Sequence, residues 1–462
     1  MLASDPACDG EFFTGVLTTG IYCLPSCGAR KPKRENVRFF ATCEAARAAG
    51  LRPCRKCHPD DYARGADPVL EAIESLAAEI RANPCGFRDA RAIVRRSGFG
   101  STRLFELFRR HLHSTPADLL LAARVKHAAS RLVASEAGLV EIASEAGFES
   151  QSAFHDHFRR VTGLTPAAYR LLRDARAFTV TLPNGYLTGH LRRALGRDPH
   201  SLTERLEGDR YTAAVRLSSG AALLRLTLAG DHVDAEISGG PAVEAHGIVA
   251  GLLGLDQDTG GFVRLVKRLG MERLVAGREA LRISRLPSVY DGLLWSIIGQ
   301  QVNFTFACML RRRLVERAGE PVGDGLSAPP TPAAVAALSP SDLGPLQFSA
   351  QKAGYLIGVS RMIEEGRLDL ERLKTMSPTR AERTLLNVRG LGPWAVNYVM
   401  MRALGFADCV PLGDTGVTSG LTTLLSLETK PDVDAVRRLM AVFSPYRSLA
   451  TAHLWQLNQP QP

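Results

Sequence analysis

Cysteine placement constrains this chain most tightly. Of nine cysteines in 462 residues, six (Cys8, Cys23, Cys27, Cys43, Cys54 and Cys57) lie at or before Cys57. Cys23-Leu-Pro-Ser-Cys27 and Cys54-Arg-Lys-Cys57 form two close pairs in a Gly-, Pro- and Arg-rich stretch with few periodic apolar runs. So short a segment buries too little apolar surface to fold on its core alone, and a metal staple suits it. Four thiolates at these spacings match a tetrahedral all-cysteine site holding one structural Zn2+, with Zn–S bonds of about 2.3 Å. Cys43, outside the pairs, reads as core. The N-terminus carries acids and no apolar signal segment, and no apolar run approaches membrane-spanning length, so a cytoplasmic protein without a membrane partner is expected.

Beyond the cysteines the chain changes character twice. Residues 68–174 read as short amphipathic helices containing two helix-turn-helix patterns. The clearer one runs from Val140 through Gly147-Phe148 to Ser150, an N-cap for a helix carrying Phe154 and Phe158 at i, i+4. The earlier one pairs Ala90–Arg96 with a helix starting at Ser101, and a long helix Pro116–Ala134 separates the two. Strand-like runs follow at Arg176–Leu182, Tyr211–Leu217, Ala221–Leu228 and Val233–Ile237, bounded by turn residues. Helical periodicity returns from Ser288, broken at Gly319–Pro332, which reads as a loop. The formal charge of +10 is compatible with a DNA partner but is not concentrated in any tail.

Near the C-terminus, Gly390-Leu-Gly392-Pro393 brackets a tight turn between two helices, with Ser377 and Pro378 as N-cap and first residue of the first. Such a turn offers backbone N–H groups to a phosphate without side-chain charge. Asp414 stands just before the helical pattern from Thr415 and is suited either to capping that helix or to chemistry.

Three resemblances assign roles to these patterns. TTGIYCLPSCGARKPKRENVRFF with AGLRPCRKCHPD resembles the zinc domain of the bacterial Ada adaptive-response regulators. It implies that Cys23, Cys27, Cys54 and Cys57 hold zinc and that Cys23 accepts a methyl group from a DNA methylphosphotriester. Arg30, Lys31, Lys33 and Arg34 would then lie along the DNA backbone. The double helix-turn-helix ending GFESQSAFHDHFRRVTGLTPAAYR is similar to AraC-type domains, which implies that Ser101, Arg103, Gln151 and Ser152 face major grooves. Ile297-Ile-Gly-Gln-Gln-Val, Gln351-Lys-Ala-Gly, the hairpin and Pro445-Tyr-Arg-Ser resemble the 3-methyladenine DNA glycosylase II family of the helix-hairpin-helix superfamily, over nearly all of 176–455.

That last likeness implies Asp414 as catalytic carboxylate, Trp394, Tyr398 and Tyr446 as the base pocket, Gln301 as the wedge left by base flipping, and Gly390 and Gly392 on phosphate. Trp394 stands where bifunctional relatives keep a lysine. An indole cannot form a Schiff base, so a monofunctional hydrolase needing no cofactor is implied. Lys352 reads as structural or phosphate-contacting. His453 and Trp455 share a helical face and read as core. The chain lacks the Pro-Cys-His-Arg motif of O6-alkylguanine transfer, so that reaction is not expected.

The expected fold class is multidomain. A zinc-stapled α+β domain covers 1–64 and an all-α double helix-turn-helix 65–175. A sheet subdomain at 176–282 and a helical helix-hairpin-helix domain at 283–462 complete an α+β glycosylase. The expected partners are alkylated double-stranded DNA, promoter DNA and RNA polymerase, for a nucleoid-associated monomer of bacterial type. A competing reading keeps the regulator and makes the C-terminal half a non-catalytic DNA-binding module; the intact Asp414 weighs against it.

Overall fold

The computed structural model describes residues 8–63, 65 and 67–457. The chain forms two compact units, 1–78 and 79–462, and the division falls inside the helix Pro68–Ala82. In the first unit a four-stranded sheet places Val37–Phe40 beside Phe13–Val16, then Ile21–Cys23, then Arg52–Pro53. The last pair is parallel, with Ile21 opposite Arg52 and Tyr22 opposite Pro53, which carries the two cysteine pairs to one end of the sheet. Phe13, Tyr22, Phe40, Ala46 and Leu51 form a small core, and Cys43 joins it as the isolated cysteine was expected to. An ion pair between Arg47 and Asp60 at 2.9 Å, with Tyr22 bonded to both, ties the helix Cys43–Ala48 to the end of the domain.

The second unit begins with the helix-turn-helix segment. Its helices Ala90–Ser97, Ser101–Leu112, Pro116–Ala134, Leu139–Glu145 and Gln151–Thr162 fall where periodicity and caps place them. Ser150 accepts the Ala153 N–H at 3.2 Å, as an N-cap should. A five-stranded antiparallel sheet follows, ordered Ala177–Thr181, His232–Ser238, Gly220–Leu228, Arg210–Leu217 and Glu204–Glu207.

Two elements differ from expectation. The edge strand Glu204–Glu207 was not anticipated. Its charged residues lack an apolar stripe, although the two-residue Gly208–Asp209 turn after it is a hairpin signal. The Gly319–Pro332 stretch, read as a loop, contains a hairpin of Glu320–Gly323 and Leu326–Ala328. Leu326 and Ala328 pack on Ala214 and Leu223 of the sheet, and Arg225 grips Asp324 at 2.6 Å. Long-range burial, invisible locally, makes the segment ordered.

Besides that small cluster, two large cores stand out among the described residues of this unit. The buried residues of one span 262–454 and pack the helices around the hairpin, with Leu187, Trp455 and Leu457 against them. The other joins Phe154, Phe158, Leu164, Tyr169 and Leu172 of the helix-turn-helix to Val180, Tyr211, Leu224 and Val249 of the sheet subdomain. Gly163 sits at this junction with φ +72°, and a Cβ there would come within 2.4 Å of the Val180 side chain. The close approach lets the Thr181 N–H reach the Gly163 carbonyl at 2.9 Å, and His246 meets the Thr162 carbonyl at 2.7 Å. Among the described residues no helix is long and apolar enough to cross a membrane.

Candidate active site

The hairpin is built from Pro378–Leu386 and Pro393–Arg402. Ser377 caps the first helix by accepting the Arg380 N–H at 3.1 Å. Gly390 has φ +96°, and a Cβ on it would lie 2.3 Å from the Tyr355 ring, so the turn needs glycine for both conformation and space. Gly392 caps the second helix, whose opening N–H groups have no acceptor within the helix. A neighbouring turn is bound to this one, because Gln300 Nε2 donates to the Gly390 carbonyl at 2.8 Å. Gln301 follows at φ +55°, exposed at the tip between Val289–Ile298 and Phe304–Ala318. Lys352 donates to the Ile298 carbonyl at 2.6 Å, closing the C-terminus of the first of these helices. That is the structural alternative of the two expected for it.

Asp414 caps Thr415–Leu425, its Oδ1 accepting the Val417 N–H at 2.9 Å. Capping does not exhaust the carboxylate. Trp455 Nε1 donates to Oδ1 at 2.9 Å and Trp394 Nε1 to Oδ2 at 3.1 Å. Trp394 is half-buried and stacks on Tyr398 with ring centres 5.4 Å apart and planes 20° from parallel. The carboxylate is thus fixed by two indoles and a helix N-terminus, next to an aromatic stack and the hairpin.

The structure therefore brings Asp414, Trp394 and Tyr398 together. It also adds Trp455, which its helical face assigns to the core. A half-buried indole needs an acceptor for its N–H, and here the acceptor lies 41 residues away in sequence, so no local pattern announces the pair. His453 on the same helix, Arg447–Leu457, is core as expected. Burial pushes it down to about 3, leaving it neutral. Tyr446 takes a different neighbourhood. Its hydroxyl donates to Asp258 at 2.8 Å, its ring packs near Phe262, and burial with the Asp258 carboxylate pushes it up to about 12.

A second unforeseen pair supports the site. Arg447 Nε donates to Asp408 Oδ1 at 2.7 Å and its Nη2 to Oδ2 at 2.9 Å, and Ser444 adds a bond at 2.8 Å. Burial opposes ionisation of Asp408, but Arg447 outweighs it and holds the carboxyl below its usual range. The pair ties the loop leading to Asp414 to the helix carrying Trp455. The helix-turn-helix segment joins in: the Asp408 N–H donates to His113 Nδ1 at 3.2 Å, and His111 Nδ1 lies 3.1 Å from the Thr379 hydroxyl on the first hairpin helix. In the first turns of the helices Ser101–Leu112 and Gln151–Thr162, Ser101, Arg103, Gln151 and Ser152 are all exposed.

In the zinc-type unit the Sγ atoms of Cys23, Cys27, Cys54 and Cys57 lie within 4.8 Å of one another, with Cys27 and Cys54 at 4.0 Å. A tetrahedron of 2.3 Å Zn–S bonds needs sulfurs about 3.8 Å apart, so this donor set fits zinc. Backbone N–H groups reach three of the sulfurs: Leu24 to Cys57 at 3.3 Å, Lys56 to Cys54 at 3.4 Å, and Ala29 to Cys27. Among the described residues none reaches Cys23. Arg30, Lys33 and Arg34 are exposed, while Lys31 donates to the Cys27 carbonyl at 2.9 Å and braces the cysteine loop.

Comparison with known proteins matches each part. Residues 1–60 fit the metal-binding domain of Ada, 93–171 a helix-turn-helix domain, and 294–445 the HhH-GPD superfamily of base excision DNA repair proteins. A DNA-3-methyladenine glycosylase of Bacillus subtilis is 31% identical over 44% of this chain and 68% of its own length. A "probable bifunctional transcriptional activator/DNA repair enzyme AlkA" of Mycobacterium tuberculosis is 29% identical over 98% of this chain and 94% of its own. The 3-methyladenine DNA glycosylase structure from Archaeoglobus fulgidus shares the fold over 60% of this chain and 97% of that one, at a TM-score of 0.53 and 21% identity. The chain belongs to the DNA-3-methyladenine glycosylase family, as a member fused behind an Ada-type zinc domain and an AraC-type helix-turn-helix, a repair glycosylase joined to a transcriptional regulator.

Proposed function

We propose that the C-terminal half is a monofunctional glycosylase that hydrolyses the N-glycosidic bond of alkylated bases, 3-methyladenine among them. The observation that carries this reading is the carboxylate of Asp414, oriented by Trp394 and Trp455 beside the hairpin. The hairpin N–H groups hold a backbone phosphate, and Gln301 fills the stack as the damaged nucleotide turns outward. Asp414 then stabilises the positive charge that develops on the sugar as the base departs and water attacks. An alkylated purine already carries charge, so the bond is weak and this chemistry calls for no cofactor. Trp394 has no amine with which to trap the sugar, so the strand stays intact.

Base release from methylated duplex DNA tests this, comparing the wild type with Asp414→Asn at matched folding. Release that falls by about a hundredfold or more in the variant, without strand cleavage, is expected. A folded, DNA-binding wild type that releases nothing overturns the enzymatic reading in favour of a non-catalytic module.

A second activity rests on the sulfurs. The three that accept backbone N–H bonds are thereby weakened as nucleophiles, leaving Cys23 the most electron-rich of the set. A bound zinc would keep it a thiolate at neutral pH. Attack on a methylphosphotriester forms the Sγ–CH3 bond, breaks O–CH3 and leaves a phosphodiester anion, with no proton required. Radiolabelled methyl transfer to the wild type and not to Cys23→Ala is expected, with label on Cys27, Cys54 or Cys57 counting against the assignment. The exposed first turns bearing Ser101, Arg103, Gln151 and Ser152 would read promoter DNA.

A further inference from the structure

One side chain joins the hairpin to the loop that carries Asp414. Asn397 lies on the second hairpin helix between Trp394 and Tyr398, and it is half-buried. Its Oδ1 accepts the Val410 N–H at 3.1 Å. Its Nδ2 donates to Glu382 Oε1, on the first hairpin helix, at 3.1 Å and to the Pro393 carbonyl at 3.2 Å. A single amide therefore grips both hairpin helices and the backbone shortly before Asp414. The N–H groups of three consecutive loop residues end on different elements: Asp408 on His113, Cys409 on the Ser448 hydroxyl and Val410 on Asn397. Of the three, the Asn397 bond is the one that runs to the hairpin. Beyond Val410 the chain turns at once, with the Asp414 N–H donating to the Pro411 carbonyl at 3.0 Å, so a shift at Val410 is passed on to Asp414.

The position calls for an amide. A carboxamide offers a donor and an acceptor from one planar group, whereas an aspartate would only accept and would face the Glu382 carboxylate with like charge. An aliphatic side chain would leave the Val410 N–H, on a residue 6% exposed, without its partner. The spacing that Asn397 sets bears on chemistry. The hairpin takes hold of a backbone phosphate while Asp414 faces a sugar on the same strand. Their separation has to hold within about 0.5 Å for the carboxylate to meet the developing charge. The Trp394 N–H fixes one oxygen of that carboxylate, and Asn397 fixes the backbone behind it.

Resting on the glycosylase reading above, we propose that Asn397 is a positioning residue that sets the spacing between the hairpin phosphate site and Asp414, and so governs the rate of base release and not the affinity for DNA. The test uses the full chain as wild type, Asn397→Ala, Asn397→Asp, and Asn397→Asp combined with Glu382→Gln. Single-turnover base release from methylated duplex DNA at saturating enzyme is read beside the Kd for an abasic duplex. Each single variant should slow release by roughly tenfold or more, with Kd changed by less than about twofold. The combined variant reverses the direction of the bond to residue 382, keeps the charge of the pair and keeps an acceptor for Val410. It should recover about half of the logarithmic loss, since the bond to the Pro393 carbonyl stays absent. Unchanged release, a rate loss matched by weaker binding, or no recovery in the combined variant would each overturn the proposal. Amide hydrogen exchange supplies a readout that needs no activity: in Asn397→Ala, residues 408–414 should exchange faster while 378–402 keep their protection. Equal loss of protection in both segments would mark Asn397 as merely structural. A wild type that releases no base would overturn the glycosylase reading, whereas exchange still decides whether Asn397 holds the loop, so the two failures are distinguishable.

Discussion

At the residue scale, Asp414 shows why type and position alone do not separate a helix cap from the catalytic group proposed here. As an N-cap it would need only the Val417 N–H, but the two indole donors fix the plane of the carboxylate as well. Trp455→Phe keeps an aromatic ring on the core, with less volume, and removes one donor. Base release should fall by about tenfold, because the carboxylate is left free to rotate, and the melting temperature should drop modestly, since one hydrogen bond to a charged group is worth about 1.5–3 kcal/mol. Unchanged release in single-turnover assays would show that Trp455 plays no part in orienting the carboxylate. Asp414, Trp394 and Tyr398 were legible because their motifs are local. Trp455 was not, because its helical face looks apolar until the fold brings Asp414 to it.

At the scale of elements, the loop before Asp414 hangs on Asp408, whose side chain is 4% exposed. Replacing it by Asn leaves Arg447 without its charge partner and should cost about 3 kcal/mol of stability in a denaturant titration. The Asp408 backbone also bonds to His113, which burial pushes down to about 4, with Asp408 opposing that shift and Arg447 and His111 adding to it. Its ordinary value is 6.5, so above that pH both folded and unfolded forms are neutral and the contribution is complete. As pH falls from 6.5 toward 4 the unfolded chain takes up the proton first, and stability declines. His190 and His453, both pushed down by burial, add slopes of the same sign. His113→Asn keeps an acceptor and cannot charge. It should remove about one proton's worth of slope, about 1.4 kcal/mol per pH unit, and an unaltered slope in pH-resolved melts would rule the histidine out.

At the scale of the molecule, the helix-turn-helix segment and the glycosylase share one hydrophobic core within one compact unit. A chain cut to 176–462 would uncover Val180, Leu255 and His246, which meet the helix-turn-helix segment. Relative to one starting at Asp67 it should melt lower or aggregate, and lose base release accordingly. Equal melting temperatures would show that the shared core contributes nothing. Sequence by itself determined the order of parts, the four-cysteine cluster, most helix boundaries and the hairpin with its aspartate, because each rests on short-range spacing, capping or glycine conformation. The tertiary structure alone decided that Trp455 bonds to Asp414, that Tyr446 pairs with Asp258, that Arg447 and His113 secure the loop before Asp414, and that the helix-turn-helix segment packs on the sheet subdomain. Each of these depends on burial and hydrogen bonding between residues far apart in the chain, which no window of sequence contains.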